Sequence, residues 1–360
     1  MATGLLPTPE QDQLRAVVRA VVADRARARR EAIAAGDDPI AWKALVEQVG
    51  VAGLAIPEPL GGSGFGWGEL AVVMEELAAG LVVVPVLSSV VLATGALLEA
   101  GGERAGELLR RLAGGQDRAA LVVPLGLDPA AVAVTHGDGR LRASQVPTLG
   151  AAGADILLVH ADTDAGIGLF EIDPGAPGIA VESAETLDLT RPMQLVSLDG
   201  VESVQLGPLD EGDAVAAVVR QGRLALAAEQ VGGARACLDM AVGYARERQQ
   251  FDRPIGSFQA VKHLLADLFV NVEAAVAALA DAVRCVGEPR HDQAVAIAAS
   301  VAGDAFVDNA EANIHVHGGI GFTWEHDAHL YYRRAITASS LFGHPRALDR
   351  ELGRQLAAPR

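Results

Sequence analysis

Apolar residues recur at helical spacing through the first third of the chain. From Pro9 to about Asp117 they return every three or four positions, as Leu14, Val17 and Val21 do near the start. This spacing places apolar side chains on one face of a helix. The pattern therefore predicts an N-terminal helical domain, which we assign to residues 1–117.

Two segments of this region need separate interpretation. Residues 77–98 carry no charge, but Gly80, Pro85 and Gly95 interrupt them. Because proline breaks a helix interior, we expect a buried helix, a turn and a second helix instead of a membrane span. The glycine-rich residues 53–68 form a loop, and without a Gly-Lys-Ser/Thr ending they do not indicate a P-loop.

The period changes to short β-branched runs between about Arg118 and Pro208. The runs read "AALVVPL", "AVAVTHGDGRLRAS", "DILLVHAD", "GIGLFEID" and "MQLVSLDGVESVQL", with His-Gly-Asp-Gly at 136–139 as a hairpin tip. Several strands without intervening helices indicate an antiparallel sheet or barrel. We assign a middle β-barrel domain to residues 118–210.

Helical periodicity then returns in unusually long segments. We expect Asp213 to cap the first helix and Ser257 to cap the second. The predicted helices span residues 214–248, 257–286, 292–314 and 326–356. These segments predict a C-terminal four-helix bundle over residues 211–360. The predicted fold class is therefore α+β, in the order helical domain, β-barrel, helical bundle.

Composition narrows the possible functions. Half of the residues are hydrophobic, and 29 basic against 46 acidic residues give a net charge of −17. This charge argues against binding to nucleic acid or to an anionic membrane. Two isolated cysteines, Cys237 and Cys285, form neither a disulfide framework nor a zinc motif, and no signal peptide is visible. We expect a cytoplasmic protein that has no metal site.

A basic cluster, "YARERQQFDRPIGSFQ", occupies residues 244–259 between the first two predicted bundle helices. It places Arg246, Arg248 and Arg253 near a helix end, beside the aromatic ring of Phe251. Guanidinium groups so placed suit a phosphate or pyrophosphate. The alternative is a solvated turn in which the arginines pair with acidic neighbours at 247 and 252.

A second cluster, "NIHVHGGIGFTWEH", covers residues 313–326, where the third predicted helix runs into glycines. Glycines at 318, 319 and 321 allow a backbone to approach a ligand closely. The alternative is a metal set of His315, His317 and His326 with Glu325 and Asp327. It is disfavoured because the spacing differs from that of an HExxH helix.

"RERQQFDRPIGSFQAVKHLLAD", followed by "HVHGGIGFTWE", resembles the acyl-CoA dehydrogenase superfamily. The stretches "ALVEQVGVAGLAIPEPLGGSGFGWGELAVVMEELAAG" and "LDLTRPMQLVSLDGV" resemble it as well. The resemblance implies FAD-dependent α,β-dehydrogenation of an acyl-CoA thioester. It also implies that certain residues reach across a subunit interface to a neighbour's FAD, which here are Arg248, Phe251, Gln259, His315, Gly318 and Gly319. His315 replaces a glutamine that is more usual in the family.

The chain departs from the family where a subunit holds its own flavin. "LVVPLGLDPA" stands at the Thr-Glu-Pro segment and "VPTLGAAGAD" at the Trp-x-Thr segment, with Thr148 nearby. At the two positions where the family places its base, this chain has Phe342 and Gly222, the latter just before Arg223. Neither side chain can accept a proton. The sequence therefore designates no catalytic residue in this chain.

The resemblance and its departures predict a subunit that completes the FAD site of a paralogous catalytic partner. The substrate would be a bulky, sterol-derived acyl-CoA, and an electron-transferring flavoprotein would accept the electrons. One alternative is a self-sufficient homo-oligomeric flavoenzyme with a relocated base, for which Glu229 is the first candidate and Glu325 and Asp327 are others. Another alternative is a flavin-free scaffold paralogue.

Overall fold

The computed structural model describes residues 7–25 and 29–357. In its first part helices dominate, as the apolar spacing predicts. These helices are α1 Pro9–Arg25, α2 Arg29–Ala35, α3 Pro39–Val49, α4 Trp67–Ala79, α5 Thr94–Ala100 and α6 Gly102–Ala113. A π-helical segment, Val86–Ala93, leads directly into α5. The predicted helix, turn and second helix across residues 77–98 are therefore confirmed, and most of their side chains are buried.

Local chemistry explains where α3 begins and ends. The carboxylate of Asp38 accepts a hydrogen bond from the Ala41 N–H at 2.9 Å, and Pro39 occupies the first helical position. Both are favourable helix starts, since the first N–H groups lack partners within the helix. The helix ends at Gly50, whose φ of 67° is costly for other residues.

The middle of the chain forms one mixed sheet. Its strands are β1 Ala119–Val122, β2 Thr135–Gly137, β3 Arg140–Leu149, β4 Ile156–Thr163, β5 Gly166–Ile172, β6 Ile179–Ser183, β7 Met193–Glu202 and β8 Val204–Asp210. The strand order is β6-β7-β3-β2-β4-β5-β8, with β1 paired in parallel to β4. Among the described residues β6 and β8 do not pair with each other, so the hydrogen-bonded path is open.

The predicted hairpin tip is confirmed. Asp138 and Gly139 connect β2 to β3 with φ values of 55° and 72°. Two successive positive φ angles match the right-handed twist of the flanking strands.

Helices return after the sheet, with a two-stranded hairpin after the first. They are α7 Asp213–Glu247, α8 Gln259–Arg284, α9 His291–His317, α10 Ala328–Ala338 and α11 Pro345–Ala357, and the hairpin strands are β9 Gln249–Gln250 and β10 Arg253–Pro254. Helix α7 packs closely on α4, because a Cβ added at Gly232 would lie 2.0 Å from the Glu75 carbonyl oxygen. The helical–sheet–helical fold class is thereby confirmed.

Both predicted bundle caps are wrong. Asp213 is the first residue of α7, after the cap at Gly212, and the Asp210 carboxylate instead accepts hydrogen bonds from the N–H groups of Gly212 at 2.6 Å and Ala214 at 3.1 Å. Ser257 lies in a 3-10 turn, and α8 starts only at Gln259. In both cases the chain first completes a tight turn, so the predicted cap is displaced from the helix end.

The single last helix predicted over residues 326–356 is also wrong. Phe342 and Gly343 adopt φ angles of 56° and 122°, outside the helical region, and Pro345 begins a new helix. Left-handed backbone stops a right-handed helix, and proline has no N–H with which to continue one. The segment is therefore divided into α10 and α11.

Candidate functional site

The basic cluster forms the short β9–β10 hairpin at the end of α7. Phe251 and Asp252 make its turn with φ angles of 53° and 59°. Non-glycine residues in this region cost on the order of 1–2 kcal/mol each, and such strain clusters at functional sites. Gly256 allows the returning chain to pass close to α7, since a Cβ there would lie 2.8 Å from the Ala245 carbonyl oxygen.

The side chains of this hairpin point away from the rest of the chain. Phe251 is 85% exposed, and its ring meets Phe258 edge to face with centroids 6.2 Å apart. Arg248 and Gln259 are exposed, and neither side chain has a hydrogen bond or ion pair with a described residue. Within those residues the alternative, in which the hairpin arginines pair with acids 247 and 252, does not occur.

The glycine cluster lies at the end of α9. Gly318 ends the helix with a φ of 64°, and its N–H donates to the carbonyl oxygens of Ile314 and His315. Gly318 and Gly319 are exposed, and a Cβ at either position would meet nothing within 4 Å. The His315 side chain is exposed as well. The backbone here is open to an approaching ligand.

Contacts between tilted aromatic rings connect the hairpin to the glycine cluster. His317 lies between Tyr244 at 4.3 Å and His326 at 4.2 Å, measured between ring centroids. Tyr244 is one turn before Arg248, and His317 immediately precedes Gly318. The two sequence clusters therefore meet at one end of the bundle. Their six predicted residues, called here the outward-facing set, are Arg248, Phe251, Gln259, His315, Gly318 and Gly319.

At Gly222 and Phe342, the two positions where the family resemblance places a base, the phenylalanine ring fills the space. The ring of Phe342 is fully buried against Gly222, where an added Cβ would lie 2.6 Å from Phe342 Cε2. The Phe342 N–H donates to the Leu125 carbonyl oxygen at 2.6 Å. Arg223 donates to the carbonyl oxygens of Phe342 at 2.6 Å and Leu127 at 2.8 Å. Backbone and side chains thus close this space from both sides.

Glu229, the candidate relocated base, belongs to a buried charge cluster of Asp188, Arg191, Glu229 and Arg334. Glu229 pairs with Arg191, and its second oxygen lies 3.2 Å from Arg334 Nη1. Asp188 lies 2.7 Å from Arg334 Nε. Burial lowers the pKa of Arg191, and for Arg334 the neighbouring Asp188 and Glu229 outweigh burial and raise the pKa. A carboxylate shared by two guanidinium groups is poorly placed to take a substrate proton.

The other two candidate bases, Glu325 and Asp327, lie in the loop after α9 and have different partners. Asp327 pairs with Arg29 and with Arg30, the latter at 2.8 Å. Glu325 is exposed, and a hydrogen bond with Thr323 lowers its pKa. Among the described residues, no three histidine, cysteine or acidic side chains come close enough together to hold a metal ion.

Sequence reasoning missed both the filled space around Phe342 and the buried charge cluster. Thr148, the remaining hydroxyl near the Trp-x-Thr position, is fully buried and donates to the Val146 carbonyl oxygen at 3.1 Å. Its hydroxyl is therefore used within its own strand. The sequence signal for the cluster is weak, because Asp188, Arg191, Glu229 and Arg334 come from three distant segments.

Comparisons with known proteins cover nearly all of the chain. The model of the acyl-CoA dehydrogenase N-terminal domain matches residues 8–116, and that of the C-terminal domain matches residues 212–352. The acyl-CoA dehydrogenase IpdE2 of Mycobacterium tuberculosis is 39% identical over 97% of this chain and 98% of its own length. The ChsE4-ChsE5 complex from Mycobacterium tuberculosis contains a chain with TM-score 0.89 and 31% identity, over 99% of this chain and 100% of that one. A chain of the Tcur3481-Tcur3483 steroid ACAD gives TM-score 0.87 and 32% identity, over 97% and 98%.

Proposed function

The chain belongs to the acyl-CoA dehydrogenase family, and from this membership we propose that it is one subunit of a heteromeric enzyme. The enzyme dehydrogenates a CoA thioester between its α and β carbons. This subunit completes the FAD site of a paralogous catalytic partner, and the partner supplies the base. The function of the chain is thus to build half of another subunit's active site.

One observation carries this proposal: the residues expected to contact a neighbour's flavin are exposed, whereas the positions expected to hold this chain's own base are filled. The outward-facing set is exposed and its polar side chains have no partner among the described residues. The inward positions are filled by Phe342 and closed by its hydrogen bonds to Leu125 and Arg223. A chain that bound its own flavin and thioester would need open space and a base at these inward positions.

The outward-facing set fits part of an FAD molecule. The free guanidinium of Arg248 suits a pyrophosphate, and the open backbone at Gly318 and Gly319 allows phosphate or ribityl oxygens to come close. The exposed Phe251 ring offers an apolar face to the cofactor. When bound, FAD supplies the hydride-accepting ring, while these residues of the present chain would hold and orient it.

The inward half does not fit a flavin and a substrate. A Cβ at position 222 would clash with the Phe342 ring, and the Phe342 N–H is hydrogen-bonded to Leu125, in the segment that stands at the Thr-Glu-Pro position. Neither residue accepts a proton. We therefore assign acyl-CoA turnover to the partner's site.

Exposed apolar side chains provide a surface for that partner. Phe322 and Trp324, beside the glycine cluster, are 74% and 60% exposed, and Phe269 and Val270 project from α8. Among the described helices α8 alone is long and apolar enough to cross a membrane, and one such helix is weak evidence for a membrane span. Because α8 packs along α7 and α9, we propose that its outer face meets another subunit.

The neighbouring structures support the choice of partner and substrate. One is described as a ChsE4-ChsE5 complex and another as a steroid ACAD of two components. By analogy we propose a paralogous partner chain and a bulky, sterol-derived CoA thioester. An electron-transferring flavoprotein is the proposed electron acceptor, and the cytoplasm is the proposed location.

The test is co-expression with a paralogous chain that retains the base and the Thr-Glu-Pro segment. Alone, this chain should carry little FAD, whereas the complex should be yellow and active. Stoichiometric FAD and dehydrogenation by this chain alone would contradict the proposal and favour the self-sufficient homo-oligomer.

A matched pair of variants separates the proposal from a flavin-free scaffold. Arg248→Ala removes the free guanidinium and should lower the FAD content of the complex, because pyrophosphate charge is left unpaired. Arg142→Ala removes an exposed arginine of β3, outside the basic cluster, and should not. Equal FAD content in both complexes, with intact assembly, would indicate a scaffold.

A further inference from the structure

A cavity of about 340 Å³ lies where α4, the segment after it, the sheet and the bundle meet. No member of the outward-facing set lines it, and neither Gly222 nor Phe342 does. Glu229 does line it, seven residues along α7 from Gly222, or about 10 Å at 1.5 Å per residue. The cavity is therefore not lined by either base position, although its wall at Leu149–Gly153 belongs to the segment that stands at the Trp-x-Thr position.

The cavity runs from the surface into the core. At one end its lining residues Ala35, Ala152 and Gly153 are exposed, and at the other Glu229 and Arg334 are buried. A ligand can thus enter from solvent between the N-terminal helices and the sheet. The volume falls within the range of about 300–1,000 Å³ that is typical of small-molecule pockets.

Most of the wall is apolar. Met74 and Leu77 come from α4, Val86 and Leu87 from the π-helical segment, and Leu149 from the end of β3. Such a wall favours an apolar ligand body through the burial of hydrocarbon surface.

Two lining side chains at the buried end have unmet hydrogen-bonding capacity. Arg191 Nη1 has no acceptor and Gln194 Oε1 has no donor among the described residues, and both atoms are shielded from solvent. A buried polar atom without a partner costs about 1–3 kcal/mol, so a ligand group that satisfies it gains affinity. Both side chains line the cavity, so a ligand bound at its buried end lies beside them.

The charges at this end are already balanced. Arg191 and Arg334 are neutralised by Asp188 and Glu229, so a charged ligand would add an uncompensated buried charge. A hydroxyl group both accepts and donates without adding charge. We infer that this cavity binds a neutral, largely apolar molecule with one hydroxyl group, which accepts from Arg191 and donates to Gln194.

The inference is tested by calorimetry on the full chain without FAD or partner, so its outcome is independent of the proposed function. The probes are cyclododecanol, cyclododecanone and cyclododecanecarboxylate. The alcohol should bind about tenfold more tightly than either other probe, since the ketone cannot donate to Gln194 and the carboxylate adds charge. Tighter binding of the carboxylate, or no binding of the alcohol, would overturn the inference.

Three variants locate the binding. Ala152→Trp places a large ring at the exposed end and should weaken alcohol binding at least about tenfold. Ala180→Trp, on the exposed face of β6 outside the cavity, is the matched control and should leave the Kd unchanged. Gln194→Leu should abolish the preference for the alcohol over the ketone while leaving ketone binding intact. Unchanged alcohol affinity in both Ala152→Trp and Gln194→Leu would exclude this cavity as the site.

Discussion

Replacing Glu229 with glutamine removes the negative charge that lies between two buried guanidinium groups. Glu229 is 4% exposed, Arg334 is 5% exposed and Arg191 is 8% exposed, so water cannot compensate for the loss. Removing one partner of a buried ion pair typically costs about 3–5 kcal/mol, because the other charge remains buried. We expect Glu229→Gln to lower the free energy of unfolding by about that amount.

The measurement is urea unfolding followed by circular dichroism. Glu182→Gln removes an exposed carboxylate on β6 and serves as the control, with an expected change within about 0.5 kcal/mol. The double variant Glu229→Gln/Arg191→Gln restores charge balance, so its loss should be smaller than the sum of the two single losses.

The opposite result would favour Glu229 as a relocated base. In that case Glu229→Gln would abolish turnover of the complex while its unfolding free energy stayed at the wild-type value. Additive losses in the double variant would likewise refute the view that these charges stabilise one another.

Three further predictions concern buried positions. Burial lowers the pKa of His160 to about 4, so folding favours its neutral form, and stability present above pH 6.5 is lost as pH falls towards 4. About 2 kcal/mol should disappear between pH 7.5 and pH 5, and urea midpoints of His160→Leu should show a smaller pH dependence. Gly232→Ala should destabilise the protein by several kcal/mol, because the new Cβ would clash with α4. Its control, Gly243→Ala, has nothing within 4 Å of the new Cβ and should stabilise the protein by about 0.5–1 kcal/mol. Both changes are measured by thermal unfolding. Gly222→Ala should cost about 1–3 kcal/mol by pushing on Phe342, and strictly additive losses with Phe342→Ala would contradict their contact.

Features that depend on near neighbours in sequence were predictable. Apolar spacing identified the helices, and the His-Gly-Asp-Gly run identified the turn between β2 and β3. The basic cluster and the glycine cluster could be located from sequence because a helix end, a proline and glycines are local signals. The selection of the six residues of the outward-facing set within them came from the family resemblance. Its assignment to FAD came from the family resemblance and remains a proposal.

Features that depend on distant residues were not predictable. The Asp210 cap replaces Asp213 because the chain turns at Gly212, whose φ of 105° no propensity rule anticipates. The break after Phe342 had a local signal in Gly343 and Pro345, but the bond from the Phe342 N–H to Leu125 in the middle of the chain had none. Periodicity describes one element at a time, so it cannot show such pairings.

The residues at the two expected base positions, Gly222 and Phe342, are physically linked. A side chain at position 222 would collide with the Phe342 ring. The ring can therefore take this position only because residue 222 is glycine. Arg223, which follows Gly222, donates hydrogen bonds to the carbonyl oxygens of Phe342 and Leu127. These bonds stabilise the closed arrangement at the place where a flavin-binding subunit would need open space. The space between Gly222 and Phe342 is therefore packed core, and under the proposed function the flavin contacts of this chain lie in its outward-facing set.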